Sequence, residues 1–286
     1  ITISMKKIIF SVMLLCSSTI GFAQLLDVTS TEKVNLPEGT VADIVTLSPK
    51  GDYMLLSDQK KQGLQKFDFR TGEIKSVTKA LGSNYNAKIS DDGNTVFFRE
   101  NQFGKDRLKK TALKSVNLTT GEVKTLVQPT REMKAVQTGT RPEVSIKYGQ
   151  LMITRNGKTE ILSPNGQSGQ SYLWPSVSPD GTKIVYYLAT KGAYTCNIDG
   201  TDVQFVGNIR APKWYNNEIV VGMNDKDNGE FVTSSSIVAY AADGSEKQVL
   251  TGSDKIAMYP TATKDGGKIA FTTPQGEAYI INVKTK

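Results

Sequence analysis

The chain contains no histidine. This absence excludes Ser-His-Asp and Cys-His catalysis within the chain, because both mechanisms need an imidazole as the general base. It also excludes zinc, iron or copper sites that depend on histidine ligands. The absence of one residue type therefore removes several classes of enzyme and of metal site.

Cysteine is scarce as well, since Cys16 and Cys196 are the two in the chain. Cys16 lies in an N-terminal segment with the pattern of an export signal, so a chain that has lost this segment forms no intramolecular disulfide. Long apolar runs are also lacking. No later stretch approaches the roughly 18 apolar residues that a membrane-spanning helix needs. Export without disulfides is typical of a bacterial periplasm or cell surface.

The N-terminal segment carries the three parts of a bacterial signal peptide. Met5-Lys6-Lys7 is a positively charged start, residues 8–15 are a short apolar run, and Gly21-Phe22-Ala23 offers small residues to a signal peptidase. We therefore predict a signal peptide over residues 1–23 and a mature chain that begins at Gln24. The mature protein would be periplasmic or secreted, with no transmembrane segment.

Two further details concern this segment. Residues 1–4 precede Met5, which we take as the true start of translation. Cys16 raises the alternative of a lipoprotein, in which lipid is attached to a cysteine just after the apolar run. Leu15 departs from that pattern, because a small residue is expected before the lipidated cysteine. The other alternative is a buried N-terminal helix.

The chain is basic, with 35 Lys and Arg against 28 Asp and Glu and a formal charge of +7. Loss of Lys6 and Lys7 with the signal peptide leaves 33 against 28, a charge of +5. This modest excess in an exported protein does not indicate nucleic acid. It is compatible with an anionic glycan or an acidic protein face, or with a basic surface that is simply solvated. The sequence indicates no cofactor and no bound metal, and we expect a monomer.

A short turn pattern recurs along the chain. Its glycines are Gly72, Gly121, Gly166, Gly200 and Gly244, spaced 49, 45, 34 and 44 residues apart. A period in the low forties is the length of one four-stranded blade of a β-propeller. A second pattern opens the units, with Ser178-Pro179-Asp180-Gly181 as its fullest copy. Looser copies lie at 48–51, 90–93 and 264–267, and degenerate ones at 145–149 and 214–217, which gives six units.

Each unit is interpreted as one blade, with an inner strand a, a buried apolar strand b, and strands c and d towards the outside. Strand a ends at the Ser-Pro-Asp-Gly turn, where glycine takes the left-handed conformation. The last unit stops after its c strand, residues 279–283. Residues 31–37 resemble a d strand, so we predict that they pair with 279–283 and close the ring. The predicted fold is all-β, a single six-bladed propeller domain over residues 24–286.

At these turns the sequence resembles the propeller repeats of the TolB family. The best match is Ser178-Pro179-Asp180-Gly181 with Thr182-Lys183-Ile184 after it, and the looser turns extend the resemblance over residues 25–286. The resemblance implies a six-bladed propeller. For function it implies protein partners in the bacterial envelope.

Propellers usually bind at the face where the d–a and b–c loops gather around the central channel. The register places nine residues there, at the starts of strands a: Asp43, Tyr85, Asn86, Arg141, Tyr172, Trp174, Arg210, Lys213 and Tyr259. Aromatic and arginine side chains combine apolar area with directional donors, which favours a contact surface. For Trp174 and Trp214 the alternative is packing between blades.

Two predicted b–c loops are unusual. Residues 99–110 form either an arm that contacts anions or a solvated loop. Their basic members are Arg99, Lys105, Arg107, Lys109 and Lys110. Residues 224–230 place Asp225 and Asp227 at alternate positions, as in a calcium loop, although Lys226 and an early glycine depart from that pattern. An ordinary turn is the alternative for that segment.

These observations favour a non-catalytic binding platform for an envelope or extracellular protein. The alternative is a propeller that binds or cleaves carbohydrate, which would need paired carboxylates in the channel. Asp43 and Glu143 are the candidates at channel-facing positions. Carboxylates about 5–10 Å apart at the channel entrance would favour glycoside chemistry. An apolar, arginine-rich rim would favour a protein partner.

Overall fold

In a computed structural model the chain forms six small antiparallel sheets arranged as a six-bladed β-propeller, which confirms the predicted fold class. The structure describes residues 24–58, 60–132, 141–166, 169–264 and 267–284. The predicted signal peptide, and Cys16 with it, lies outside these described residues. Within the described ranges, no helix is long and apolar enough to cross a membrane.

The strands follow the blades in chain order, except that the first strand, β1 (Val28–Lys33), belongs to the last blade. Blade 1 contains β2 (Ile44–Leu47), β3 (Tyr53–Ser57), β4 (Leu64–Asp68) and β5 (Ile74–Thr78), and blade 2 contains β6 (Lys88–Ile89), β7 (Thr95–Phe103), β8 (Lys109–Asn117) and β9 (Val123–Thr130). Blade 3 contains β10 (Glu143–Lys147), β11 (Gln150–Arg155) and β12 (Lys158–Leu162). Blade 4 contains β13 (Tyr172–Val177), β14 (Lys183–Leu188), β15 (Gly192–Asn197) and β16 (Gln204–Gly207), and blade 5 contains β17 (Arg210–Trp214), β18 (Ile219–Asp227), β19 (Val232–Ala241) and β20 (Lys247–Val249). Blade 6 contains β21 (Met258–Ala262), β22 (Lys268–Thr272) and β23 (Ala278–Val283), with β1 as its outer strand.

β1 closes the ring by pairing antiparallel with β23, from Val28 opposite Val283 to Lys33 opposite Tyr279. The prediction that an N-terminal strand completes the last blade is confirmed. The pairing strand begins three residues earlier than the predicted 31–37. The last contact with β23 is made by Val34, whose N–H donates to Ala278 O at 2.8 Å, and the Val34 and Leu36 side chains pack against the core between blades 6 and 1.

Strands b form the cores between neighbouring blades, as their apolar sequences predict. All five residues of β3 are buried, and its Met54 and Leu56 pack against Ala270 and Ile280 of blade 6. Clusters of the same kind join blades 1 and 2, blades 3 and 4, blades 4 and 5, and blades 5 and 6. Cys196 lies in the cluster between blades 3 and 4, where burial raises the pKa of its thiol to about 12. The cores therefore lie between the sheets, and the inner strands are left to surround the axis.

The buried serine of the Ser-Pro-Asp-Gly turn explains why this pattern recurs. Ser178 Oγ accepts a hydrogen bond from Lys183 N at 2.9 Å and donates one to Asp180 Oδ1 at 2.6 Å. Ser90 makes the same two contacts in blade 2. The hydroxyl joins the end of strand a to the start of strand b, and Gly181 completes the turn with a φ of +80°.

The two faces of the ring differ in their connections. We call the face with the a–b and c–d turns the turn face, and the opposite face, with the b–c hairpins and d–a connections, the loop face. The a–b turns of neighbouring blades touch on the turn face. For example, Lys268 Nζ of blade 6 donates to Gly51 O of blade 1 at 2.7 Å.

Blade 3 departs from the predicted register. Its strands are joined by two hairpins, Tyr148-Gly149 and Asn156-Gly157, in which all four residues have positive φ as in type I′ turns. Gly149 O accepts a hydrogen bond from Tyr172 N at the start of blade 4, so β10 ends on the loop face. β10, β11 and β12 therefore correspond to strands b, c and d. Among the described residues, blade 3 has no strand a.

Two turn predictions in blade 3 are therefore wrong. Residues 145–149 contain a b–c hairpin instead of an a–b turn, and residues 164–166 follow strand d instead of preceding it. The c–d turn is at Gly157, 36 residues after Gly121 and 43 before Gly200. Both candidate turns end in glycine, so the sequence pattern did not separate them.

Substitution Ser178→Ala should destabilise the domain by about 1–3 kcal/mol, because it leaves the buried Lys183 N–H without an acceptor. Urea denaturation followed by fluorescence measures this loss. Ser245→Ala is the matched control, since Ser245 is exposed in a c–d turn and donates to Asp243 alone. The control should change the free energy of unfolding by less than about 0.5 kcal/mol. Equal losses in the two variants would contradict the role of the buried hydroxyl.

Deletion of residues 25–37 should lower the melting temperature of the whole domain. The deletion removes β1 and leaves the hydrogen-bonding edge of β23 unpaired. Lys33→Ala serves as the control, because it removes only an exposed ion pair with Glu277 and should have little effect. Differential scanning calorimetry gives both values. A deletion variant that melts at the temperature of the intact protein would contradict closure by β1.

Candidate functional site

The inner strands surround a central cavity of about 980 Å³ to which all six blades contribute. Asp43, Tyr85 and Asn86 line it where the chain enters strands a on the loop face. Val177 and Glu143 line the cavity towards the turn face, where they also border a smaller cavity of about 410 Å³. The cavity thus follows the axis of the ring.

Charged side chains bridge the channel on the turn face. Asp91 Oδ1 of blade 2 lies 2.9 Å from Lys264 Nζ of blade 6 and 2.7 Å from Arg141 Nη2. Arg141 Nη1 donates to Pro179 O of blade 4 at 2.7 Å. Lys264 and Arg141 hold the pKa of Asp91 below its ordinary value. Because blades 2, 4 and 6 are not neighbours, these contacts reach across the ring, and we refer to the opening on the loop face as the entrance.

The inner strands are kinked near the entrance. Four residues at equivalent positions have positive φ: Asn86, Trp174, Ala211 and Tyr259, at +54°, +48°, +48° and +52°. None is glycine, and such conformations cost of order 1–3 kcal/mol each. In blades 4, 5 and 6 the pairing of strand a with strand b shifts at this position, as in a β-bulge. Trp174 and Tyr259 line the cavity at their kinks.

Below the kinks, strands a place a ring of polar side chains against the cavity. We call this set the waist ring; its members are Thr46, Lys88, Ser176, Lys213 and Thr261, one from each blade except blade 3. Each lies two residues before the position that Ser178 occupies in blade 4, which is held in the other blades by Ser48, Ser90, Tyr215 and Thr263. Each also pairs with the third residue of strand b, as Ser176 does with Val185 and Thr261 with Ala270. The five side chains therefore lie at one level of the channel.

The two lysines of the waist ring differ in their partners. Lys88 Nζ lies 2.7 Å from Glu143 Oε2, whose side chain is 15% exposed. Lys213 forms no hydrogen bond or ion pair with any residue that the structure describes. Its side chain faces the cavity but is otherwise surrounded by protein, and this burial lowers the pKa of its ammonium group.

The entrance on the loop face is rich in aromatic and arginine side chains. We call it the mouth and define it by Tyr85, Arg99, Trp174, Arg210 and Tyr259. The guanidinium carbons of Arg99 and Arg210 lie 5.6 and 5.9 Å from the ring centres of Tyr85 and Trp174. Tyr85 and Tyr259 are 61% and 49% exposed. The mouth therefore offers aromatic surface to a ligand.

Carboxylates near the mouth are largely engaged with arginine. Asp225 Oδ2 lies 2.7 Å from Arg210 Nη1, with the Asp225 side chain 4% exposed, and Asp227 Oδ2 lies 3.6 Å from the same nitrogen. The calcium-loop prediction required a loop at 224–230, but β18 continues to Asp227. Among the described residues, no group of three or more Cys, Asp and Glu side chains is placed to hold a metal ion.

The basic segment 99–110 is also largely strand instead of loop. β7 continues to Phe103 and β8 begins at Lys109, so the turn between them spans only 104–108. The long pairing of β7 with β8, from Thr95 opposite Asn117 to Phe103 opposite Lys109, makes this hairpin an arm on the loop face. The prediction of a loop is therefore wrong. The many basic side chains of this segment hid the alternating pattern that is typical of a strand.

The structure brings most of the predicted site residues together. Asp43, Tyr85, Asn86, Trp174, Lys213 and Tyr259 line the cavity, and Arg210 lies over Trp174 beside it. Tyr172 begins its strand on the loop face, but its ring is buried against Tyr186 and its hydroxyl bonds to the 165–166 turn. Arg141 was expected on the loop face and lies on the turn face, because of the register of blade 3.

Sequence analysis missed four members of the waist ring: Thr46, Lys88, Ser176 and Thr261. The signal that would have found them is their constant place, two residues before the position that Ser178 occupies in blade 4. Trp214 was expected to pack between blades. It is buried between blades 4 and 5, and its indole N–H donates to Ser176 O at 3.0 Å, next to the cavity.

Neither a protein-family model nor a curated protein matches the chain. Solved structures do. A protein of Agrobacterium tumefaciens provisionally assigned to TolB aligns with 85% of this chain and 90% of its own, at a TM-score of 0.57 and 16% identity. An oligogalacturonate lyase in complex with manganese aligns with 83% of this chain and 76% of its own, at a TM-score of 0.52 and 15% identity.

TolB from Acinetobacter baumannii also aligns, over 72% of this chain, at a TM-score of 0.51 and 18% identity. The alignment spans about half of that protein, 53% of its length. At these identities the similarities show the propeller fold alone. They support the resemblance to TolB proteins as far as it concerns the fold.

Proposed function

We propose that this protein is an exported, non-catalytic propeller that binds a protein partner of the bacterial envelope or the extracellular space at the mouth of its channel. The observation that supports this function most directly is the mouth itself, where exposed aromatic rings are combined with two arginines stacked on aromatic neighbours. Tyr, Trp and Arg are the residue types that contribute most to protein interfaces.

The backbone of the mouth is suited to binding without large rearrangement. Trp174 and Tyr259 sit at positive φ, each followed by a proline, so the kinked strands hold their rings at fixed positions. Strained backbone of this kind persists only where the surrounding structure determines it, and it is concentrated at functional sites. A prearranged surface loses less conformational entropy when a partner binds.

Carbohydrate binding is the second candidate function. The fold is shared with an oligogalacturonate lyase, and the aromatic rings of the mouth would also stack on sugar rings. Hydrolytic cleavage of a glycosidic bond would need two carboxylates on either side of the scissile bond. Asp43 lies at the loop face, whereas Glu143 lies towards the turn face and is paired with Lys88. This separation favours binding over cleavage.

The double substitution Tyr85→Ala/Tyr259→Ala tests the proposed mouth. Both rings are exposed on the loop face, so their loss should spare folding and reduce recovery of the partner from envelope extract at least about tenfold, since truncating interface aromatics often costs 1–2 kcal/mol or more. Leu126→Ala/Val249→Ala, on exposed positions of the outer strands, is the matched control. Quantitative mass spectrometry of captured proteins gives the recoveries. Equal recovery by all three proteins would contradict the mouth as the binding site.

Export predicts a defined N-terminus. Expression of the chain from Met5 in a Gram-negative host should place the mature protein in the periplasm with Gln24 as its first residue. Intact-mass and N-terminal analysis of the periplasmic fraction measure this. A cytoplasmic product that keeps residues 5–23, or a lipid attached to Cys16, would overturn the assignment of a cleaved signal peptide.

A further inference from the structure

The waist ring combines groups that donate hydrogen bonds. Three of its members are hydroxyl residues, Thr46, Ser176 and Thr261, and two are lysines. The hydroxyls of Ser176 and Thr261 form no hydrogen bond with any described residue, and that of Thr46 reaches only the Leu47 carbonyl at 3.4 Å. Hydroxyl and ammonium groups that line the same cavity can bind an oxyanion by donating hydrogen bonds to it.

The charges of the ring leave one cation uncompensated. Lys88 is neutralised by Glu143 at 2.7 Å, whereas Lys213 has no carboxylate partner among the described residues. A partly buried ammonium without a partner is destabilised relative to one in bulk water, and burial accordingly lowers the pKa of Lys213. A ligand that brings a negative charge to Lys213 would remove this cost.

We propose that the waist ring is a carboxylate-binding site, in which Lys213 and the hydroxyls of Ser176 and Thr261 hold an acidic group of the ligand. This proposal rests on the proposed function, since it names the chemistry by which the partner would enter the channel below the mouth. A carboxylate matches the single uncompensated charge. A phosphate dianion would leave an excess negative charge close to Glu143.

The acidic group is assigned to the protein partner, as an Asp or Glu side chain or a chain terminus. The mouth through which it must pass is lined by aromatic and arginine side chains, which suit a peptide segment. A uronic acid carries the same carboxylate on a sugar ring. The test therefore includes a uronate as a separate arm.

Tryptophan fluorescence reports directly on this site. The chain has two tryptophans, Trp174 and Trp214, and both line the cavity. The indole of Trp214 is bonded to the backbone of Ser176, a member of the waist ring. Titration of the full mature protein with N-acetylated, C-amidated tetraglutamate should therefore give a saturable change in emission. The same titration with the matching tetraglutamine peptide should show binding at least about tenfold weaker.

Lys213→Met tests the charge while it keeps the length of the side chain. It should weaken the binding of tetraglutamate at least about tenfold, the effect expected for the loss of one charge-assisted hydrogen bond. Lys124→Met, on the exposed outer strand β9, is the matched control and should bind as the wild type does. Where tetraglutamate binds the wild type, equal affinity of Lys213→Met and wild type, or equal affinity of wild type for tetraglutamate and tetraglutamine, would overturn the carboxylate site.

The melting temperature shows that the Lys213→Met variant is folded. Because the lysine has no partner in the empty channel, its replacement by an apolar side chain should keep or raise the melting temperature. A marked decrease would show that Lys213 supports the fold instead of a ligand, and would also overturn the proposal.

Titration with trigalacturonate tests the carboxylate site separately from the proposed protein partner. If trigalacturonate binds with the same dependence on Lys213 and tetraglutamate does not, the carboxylate site is supported and the protein partner is overturned. If neither acidic probe binds to the wild type, the carboxylate site is overturned, whereas the Tyr85→Ala/Tyr259→Ala capture experiment still decides the role of the mouth.

Discussion

The pairing of β1 with β23 is the contact on which the rest of the structure depends. It joins residues 28–33 to 278–283 and makes a closed ring out of a row of six sheets. Only in a closed ring do the inner strands face a common axis and enclose a cavity. Closure also pairs the edge of β23, so that β1 becomes the outer strand of blade 6. The channel and its polar lining are thus consequences of an interaction at the outer rim, far from any ligand.

The hydrophobic core that stabilises the ring lies outside the channel lining. The inner strands contain four residues at positive φ and a ring of polar side chains, and the polar ring adds no apolar burial to the fold. The strands b immediately outside are buried on both faces, with Met54, Val185 and Ala270 among their fully buried residues. In this propeller, strand a lines the channel and the adjacent strand b forms the hydrophobic core. The inner strand is available for binding because its neighbour supplies the hydrophobic core.

The sequence allowed the fold to be predicted because its turns are chemically specific. A buried serine that bonds across the turn, as Ser178 does, and a glycine at positive φ leave few alternatives. The register of blade 3 was predicted incorrectly because Tyr148-Gly149 and Asn156-Gly157 fit the same turn geometry, and only contacts with blade 4 distinguish them. Arg141 was misplaced for that reason. The waist ring was not predicted because a single Thr, Ser or Lys residue in a strand does not by itself indicate a site. The five side chains form a ring only because the fold brings five strands to one level of the channel.

The distribution of charge along the axis argues for a ligand with an acidic end and an apolar body. On the turn face, Asp91 is bridged to Lys264 and Arg141, so the cations there are already engaged. At the mouth, Arg210 is engaged by Asp225 and lies over Trp174, and Arg99 lies over Tyr85, so both arginines are held beside the aromatic surface that faces solvent. Between these two levels lies the side chain of Lys213, which has no hydrogen-bond or ion-pair partner among the described residues and is partly buried in the channel wall. An electrostatic contact is strongest where water is excluded. A ligand that enters by the mouth therefore meets apolar contacts first and its strongest ionic contact last, which ties full affinity to insertion of the acidic group.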